Sequence, residues 1–205
     1  SSNGTLLVPD LGTDVVWRLN APTLTPMAVA CKCQDGDGPR HAAWHPSLDV
    51  LYVLTELSCR LLAFRVCRQT GKPLAKTPFA SSRTLPRECY PPSSGNAPPS
   101  RPKSTCAALV VHPSGKFAYA SNRAIGVDGL VSVISLGADG APFTSMHVTT
   151  GGRTPREIAL VGSDLLLVAN QDSSTILSFA IDQKTGALAK KHQVACPTPV
   201  CLLTL

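Results

Sequence analysis

The sequence has no run of apolar residues approaching the roughly 20 that a membrane-spanning helix needs. Its first residues, Ser1 to Thr5, contain neither a basic end nor an apolar segment, so no signal peptide is predicted from them. Of the 205 residues, 43% are hydrophobic and 16% are charged, which is typical of a globular rather than a disordered chain. We therefore expect a soluble protein with no membrane partner.

Several motifs of reactive chemistry are also missing. The chain has no CxxC pair, no Cys/His set at zinc-binding spacing and no Gly-x-Ser-x-Gly segment. Metal catalysis and covalent serine chemistry are thus not predicted, and we expect neither a metal nor a cofactor. The eight cysteines are interpreted as free, buried thiols of a reducing compartment, which favours a cytoplasmic location.

The charge balance argues against a nucleic-acid partner. The net charge is +6, from 19 basic and 13 acidic residues, and four of the basic residues lie in one Pro/Ser-rich stretch. No basic helix is present, and no basic strand is interleaved with aromatic residues, as nucleic-acid surfaces require. A small anionic substrate fits this mild positive excess better.

What the chain does contain is an internal repeat. Two segments have nearly the same sequence: Gln69 to Lys76 and Gln183 to Lys190. A Pro-Arg pair precedes each segment by about the same number of residues, at Pro39 and at Pro155. Short apolar or alternating runs, bounded by Gly, Pro, Asn, Asp and Ser, recur between these markers and predict strands without helices. A repeat of this length indicates one structural unit used several times.

The predicted fold is all-β: a single partial β-propeller of four-stranded antiparallel blades. We expect three strands in the first blade, four in each of the next three blades and one closing strand. The fourth strand of the second blade is predicted at Leu74 to Phe79. Residues 80–105 are interpreted as a Pro/Ser-rich insertion between blades. Because each blade needs neighbours, an N-terminal propeller portion or a second chain is expected to complete the ring. The predicted blades span residues 1–36, 37–79, 106–150 and 151–195, with a closing strand at 199–205.

Aligned repeats reveal polar positions at the ends of apolar strands, where packing does not require polarity. Such strand ends face the central channel of a propeller, the usual place for a ligand. Three arginines and one carboxylate are predicted to converge there, although turn capping or mutual ion pairing would explain them equally well. The aligned sets are Leu11, Glu56, Arg123 and Gln171; Asp10, Thr55, Asn122 and Asn170; Arg40, Ala107 and Arg156; and His41, Ala108 and Glu157.

These motifs resemble the seven-bladed propeller lactonase family, which includes propeller-type 6-phosphogluconolactonase and the fungal carboxymuconate cyclase. The resemblance covers nearly the whole chain except residues 80–105, and it implies that about four blades of a seven-bladed ring are present. Arg40, Glu56 and Arg123 match three site residues of the cyclase branch, whose fourth, a histidine, has no counterpart here. The motifs begin at Val8, Gly38, Thr55, Ser121, Thr150, Ala169 and Pro199.

The resemblance implies a hydrolase that opens a sugar lactone, with 6-phosphogluconolactone of the pentose phosphate pathway as the expected substrate. Glu56 is the candidate base or water-orienting group, and Arg40 or Arg123 would stabilise the oxyanion. Alternatives are a non-catalytic interaction scaffold and the carboxymuconate cyclase reaction. The expected substrate-binding residues are Arg156, His41, Asn122 and Gln171.

Overall fold

The computed structural model describes residues 4–89, 104–124 and 127–204. These residues form fifteen strands in four antiparallel sheets, with one short 3-10 turn at Arg87–Cys89. In every sheet, strands that follow one another in sequence are hydrogen-bonded neighbours. No helix in the described ranges is long and apolar enough to cross a membrane.

The first sheet has three strands and the other three sheets have four, as the repeat predicts. The first contains β1 (Thr5–Asp10), β2 (Val15–Asn20) and β3 (Pro26–Lys32). The second contains β4 (Pro39–Trp44), β5 (Val50–Thr55), β6 (Arg60–Arg65) and β7 (Ala80–Arg83). The third contains β8 (Thr105–Val111), β9 (Phe117–Arg123), β10 (Leu130–Leu136) and β11 (Pro142–Thr149). The fourth contains β12 (Pro155–Val161), β13 (Leu165–Asn170), β14 (Thr175–Ile181) and β15 (Leu188–Ala195).

The sheets are stacked as blades, with their first strands side by side. β4 contacts β8, and β8 contacts β12, so these three strands line one side of the array. Three apolar clusters fill the spaces between the first and second, second and third, and third and fourth sheets. The first three strands of the second and third sheets therefore have apolar neighbours on both faces.

β5 shows why these strands read as continuous apolar runs. All six of its residues are buried. Leu51 and Val53 point into the cluster shared with the first sheet, whereas Val50, Tyr52 and Leu54 point into the one shared with the third. Side chains alternate between the two faces of a strand, so burial of both faces requires apolar residues throughout.

Repeated hydrogen bonds join the second sheet to the third, and the third to the fourth, at the edge where β4 and β8 end. The hydroxyl of Tyr52 donates to Gly140 O at 2.7 Å, and that of Tyr119 donates to Gly186 O at 3.1 Å. His45 Nδ1 accepts from the Leu48 amide, so its Nε2 carries the proton and donates to Gly115 O at 3.0 Å. His112 makes the equivalent bond to Ser163 O at 2.8 Å. These bonds fix the spacing of the blades.

One strand prediction was wrong. The fourth strand of the second blade is Ala80–Arg83, inside the range predicted as an insertion, rather than Leu74 to Phe79. Within that range the Leu74 amide donates to Arg65 O and the Phe79 amide to Ala63 O, but Pro78 has no amide with which to extend the pairing between them. Residues 199–204 form no strand with the described residues, and the closing strand at 199–205 stays a prediction because its expected partner is the N-terminal portion or a second chain. Residues 90–103 of the predicted insertion lie outside the described residues.

The eight cysteines are free, as predicted, but only half of them are buried. Cys31 and Cys33 pack between the first and second sheets, and Cys59 and Cys106 between the second and third. Burial raises the pKa of the Cys33 thiol to about 12 and that of Cys106 well above its ordinary value. The remaining four, Cys67, Cys89, Cys196 and Cys201, are half-buried or exposed.

The tyrosine bonds between blades lead to a stability prediction. In Tyr52→Phe, the buried carbonyl of Gly140 loses its donor, so we expect a loss of about 1–2 kcal/mol in the free energy of unfolding. Tyr119→Phe should lose a similar amount, and the two losses should add because they act on different blade seams. Urea unfolding of both single variants and the double variant measures this, and an unchanged midpoint would contradict it.

Candidate functional site

The predicted site residues lie at one edge of the sheets, opposite the tyrosine and histidine bonds. This edge contains the turns between the second and third strands of the four-stranded blades. The equivalent turn of the three-stranded first sheet is the one between β1 and β2. In three blades the turn ends in a residue with positive φ: Asp14 at 56°, Cys59 at 52° and Ser174 at 51°. This shared geometry closes the hairpins in the same way and presents Glu56 and Gln171 at equivalent positions.

β-Bulges at the start of the first strands place two arginines at the same edge. The pairing register shifts between Pro39 and His41 and again between Pro155 and Glu157, which leaves Arg40 and Arg156 as the inserted residues. A bulge bends the strand and redirects its side chains, and bulges are frequent beside active sites. β8 is also bulged, after Cys106, but it carries alanines at these positions.

Glu56 forms two salt bridges at the centre of this edge. Its Oε2 lies 3.0 Å from Arg40 Nε, and its Oε1 lies 2.8 Å from Arg123 Nη2. All three side chains are about one-fifth exposed, at 21%, 21% and 19% for Arg40, Glu56 and Arg123. The structure thus brings together the three predicted catalytic residues, and partial burial makes their interaction stronger than a surface pair.

Backbone carbonyls of β8 hold the two arginines in place. Arg123 Nη2 donates to Cys106 O at 3.0 Å, and Arg40 Nη1 donates to Ala107 O. The Cys106 amide in turn donates to Glu56 O at 3.0 Å, which ties the turn of the second blade to the third blade. The cluster therefore spans the seam between these blades and depends on their contact.

Arg156 lies near the cluster without a carboxylate partner. Its Nη1 donates to the neutral Gln171 Oε1 at 3.2 Å, and the salt bridges of the described residues do not include it. Burial and the charges of Arg123 and Arg156 lower the pKa of Arg40 from its ordinary value, against the opposing charge of Glu56. The edge therefore carries a surplus of positive charge beside Gln171.

His41 orients Arg40. Its Nε2 lies 2.8 Å from Arg40 Nη1, and because a guanidinium only donates, the ring nitrogen must accept. The ring is therefore neutral, with its proton on Nδ1. Burial, followed by the charge of Arg40, lowers the pKa of His41 to about 4, while Glu56 opposes this shift. His41 was predicted to bind substrate, and its Nε2 is not available for such a contact while this bond is made.

The structure does not support Asn122 as a substrate-binding residue. Its side chain is 1% exposed, and its amide donates to Ala120 O and Ser132 Oγ while its oxygen accepts from Thr84 at 2.8 Å. Of the aligned residues, Thr55 and Asn170 are also fully buried. Thr55 and Asn122 are polar because they cap a turn or join blades, and the hydrogen bonds of their side chains are made internally.

Glu157 belongs to the same edge but was not among the predicted site residues. It follows Arg156 directly after the bulge in β12 and is half-buried. Burial raises its pKa above the ordinary glutamate value, while a bond from the Ile158 amide and the charge of Arg40 lower it. The sequence could have indicated Glu157 through the alignment of His41, Ala108 and Glu157, because among these three aligned residues only Glu157 is a carboxylate.

Nothing in the described ranges is arranged as a metal centre: no group of three or more His, Cys, Asp or Glu side chains is placed to hold an ion.

The stacked antiparallel sheets define a partial β-propeller that carries an arginine–glutamate cluster at one edge. The chain belongs to the family described as "Lactonase, 7-bladed beta-propeller", whose model matches residues 1–204. A 6-phosphogluconolactonase from Formosa agariphila is 31% identical over 198 residues, which cover 93% of this chain and 51% of the relative. One from Bacillus subtilis is 29% identical, covering 94% and 52%.

Solved structures agree with the fold. A protein from Lactobacillus plantarum has a TM-score of 0.80 with 27% identity, and the match covers 96% of this chain and 54% of that protein. The chain thus spans about half the length of the relatives it matches.

The neutral ring of His41 leads to a prediction for stability against pH. An unfolded histidine takes up a proton near pH 6.5, whereas the folded His41 does so only near pH 4. The contribution of His41 to the free energy of unfolding should be fully present above pH 6.5 and should decrease as the pH falls towards 4. In His41→Asn, unfolding midpoints measured from pH 7.5 to 4.5 should decline less steeply than in the wild type.

The exposed His192 provides the control. His192→Asn should keep the wild-type slope, because its ring lies outside the cluster. Equal slopes for wild type and His41→Asn would show that the His41 ring is not held neutral by the fold.

Proposed function

We propose that this protein hydrolyses a sugar lactone, with 6-phosphogluconolactone as the preferred substrate and 6-phosphogluconate as the product. The observation that carries the proposal is the fixed pair of guanidinium groups around Glu56, in a chain that belongs to a lactonase family. Two of its relatives are named 6-phosphogluconolactonase. The chain spans about half of each, so the activity proposed is that of the whole protein.

Lactone opening requires an oxygen nucleophile and stabilisation of the negative charge that develops on the carbonyl oxygen. Arg40 and Arg123 are suited to the second task, because their guanidinium groups are held by Glu56 and by carbonyls of β8 before substrate arrives. Donors fixed in advance stabilise a developing oxyanion without the cost of reorganising. This assigns the oxyanion role to one or both arginines.

Glu56 has two roles in this scheme. Its two oxygens each accept from one guanidinium, which sets the separation and orientation of the arginines. A carboxylate offers about four lone-pair positions, so two remain to orient a water molecule towards the lactone carbonyl. The side chain is 21% exposed, which leaves access for that water.

Arg156 is the proposed anion-binding residue. A guanidinium presents paired donors that match a phosphate or carboxylate, and in the described part of the chain the Arg156 side chain donates to the neutral Gln171. The phosphate of a phosphorylated sugar lactone would compensate the positive surplus described above. Gln171 would then serve by holding Arg156 and by contacting sugar hydroxyls.

The first test is the Glu56→Gln variant. Glutamine keeps the shape of the side chain but cannot balance two guanidinium charges, so we expect kcat/KM for 6-phosphogluconolactone to fall by roughly 100-fold or more. Initial rates can be followed by coupling the product to a dehydrogenase, with circular dichroism to verify folding. A folded variant within threefold of wild type would contradict the assignment.

The same assay decides between the proposed function and its alternatives. The wild-type protein should hydrolyse 6-phosphogluconolactone faster than carboxymuconolactone. Interconversion of carboxymuconate and its lactone alone would indicate the cyclase reaction. No turnover of either compound, together with unchanged behaviour of Glu56→Gln, would favour an interaction scaffold.

The second test concerns the anion. In Arg156→Gln, KM for 6-phosphogluconolactone should rise by roughly 10-fold or more, because a charge-assisted hydrogen bond is lost. KM for unphosphorylated gluconolactone should change by less than twofold. Lys116→Gln removes one charge from the opposite edge of the third sheet and should leave both values unchanged. Equal effects on both substrates in Arg156→Gln would show that it does not bind the phosphate.

A further inference from the structure

A cavity of about 210 Å³ lies in the seam between the first and second sheets. It is near the edge where β4 ends, opposite the edge that carries the arginine–glutamate cluster. Leu6, in its wall, is 41% exposed, so the cavity is not sealed from solvent. Apolar side chains of both sheets line it: Leu6, Leu7, Ala42, Trp44 and Leu51.

The loops that follow the third strands of the second, third and fourth sheets have the same shape. Each contains a glycine with positive φ: Gly71 at 64°, Gly140 at 84° and Gly186 at 74°. A methyl group on each glycine would lie against an equivalent residue of the preceding sheet, 2.9 Å from Thr5, 3.1 Å from Val50 and 2.6 Å from Phe117. The three seams between sheets therefore have the same local geometry.

The seams differ at the residue two positions further along the strand. Tyr52 and Tyr119 donate their hydroxyls to the glycine carbonyls of the second and third seams. The first seam has Leu7 at this position, and no donor among the described residues is found for the Gly71 carbonyl. The second and third sheets have all four strands and still place a tyrosine ring here. The cavity, which both Leu7 and Gly71 line, thus occupies the place of a tyrosine ring.

Two arginines fix the walls of this cavity. The guanidinium carbon of Arg68 lies 5.2 Å from the centre of the Trp44 ring, and Arg68 Nη2 donates to His45 O. Arg18 Nη1 donates to Thr70 O at 3.3 Å, in the loop that contains Gly71. Because both guanidinium groups already bind backbone carbonyls, the walls are formed before a ligand arrives, and the cavity does not require a charged ligand.

Hydrogen-bonding capacity remains beside Gly71. Arg18 Nε is buried and has no partner among the described residues. Its neighbour, Arg18 Cδ, lies 3.4 Å from the position that a Gly71 β-carbon would occupy. A buried donor and the Gly71 carbonyl acceptor are therefore found at the same end of an apolar space. A hydroxyl group can both donate and accept, so it suits this end better than a methyl group does.

We propose that this cavity is a binding site for a small neutral phenol, whose ring takes the place of the tyrosine ring and whose hydroxyl donates to the Gly71 carbonyl. The size is sufficient, since an apolar cavity of about 150 Å³ accommodates benzene. The site is distinct from the arginine–glutamate cluster, and the inference does not rest on the proposed lactonase activity.

Phenol and toluene test the proposal because they have nearly the same size and differ in the hydroxyl. Phenol should bind with a dissociation constant on the order of 1 mM, measured by NMR titration of the Leu7 and Leu51 methyl groups and the Trp44 indole N–H. Toluene should bind no more tightly than phenol, whereas a cavity without hydrogen-bonding groups would favour toluene. Binding of toluene alone would overturn the proposal, and so would benzoate binding more than 10-fold tighter than phenol.

Variants of the tyrosine position locate the ligand. Leu7→Tyr should fill the cavity, raise the urea midpoint and weaken phenol binding at least 10-fold. Leu203→Tyr, which places a tyrosine at a position that is 87% exposed, should keep the wild-type affinity. Tyr52→Leu should create the same space in the second seam, so that two phenol molecules bind instead of one. Unchanged affinity in a folded Leu7→Tyr, or a single phenol in Tyr52→Leu, would show that the tyrosine position does not form the site.

Discussion

The double salt bridge of Glu56 is the interaction on which the site depends. It joins the first strand of one blade, the turn that follows its second strand, and the end of β9 in the next blade. None of these elements alone would place an arginine against a carboxylate at this edge. Carbonyls of β8 complete the arrangement, so the geometry of the charges is a property of the blade seam.

The repeat in the sequence was sufficient to predict the blades and the meeting of Arg40, Glu56 and Arg123. Aligned strand ends show which residues share an edge, because every blade has the same topology. They do not show where a side chain points, and for that reason Asn122 was assigned to the substrate although its amide is bound to Thr84 and Ser132. Glu157 was not predicted as a site residue, because the sequence shows that one aligned position holds a carboxylate but does not show that this carboxylate is half-buried.

One strand was misplaced for a related reason. Apolarity alone predicted Leu74 to Phe79, yet Pro78 interrupts the pairing there and the small polar residues of β7 form the continuous ladder instead. The segment at 199–204 has the apolar pattern of a first strand, but no described neighbour receives its hydrogen bonds, so its pairing stays a prediction. Strand formation depends on a partner, which a local pattern cannot supply.

The buried thiols of Cys59 and Cys106 give the second seam an unusual property. Both are fully enclosed, and each belongs to a segment that holds the charged cluster: Cys59 ends the turn of Glu56, and the carbonyl of Cys106 binds Arg123. Alkylating reagents can reach these sulfur atoms only when the two blades separate. The rate at which these thiols are alkylated therefore measures how often the two blades separate, a motion that would also break the contacts of the charged cluster.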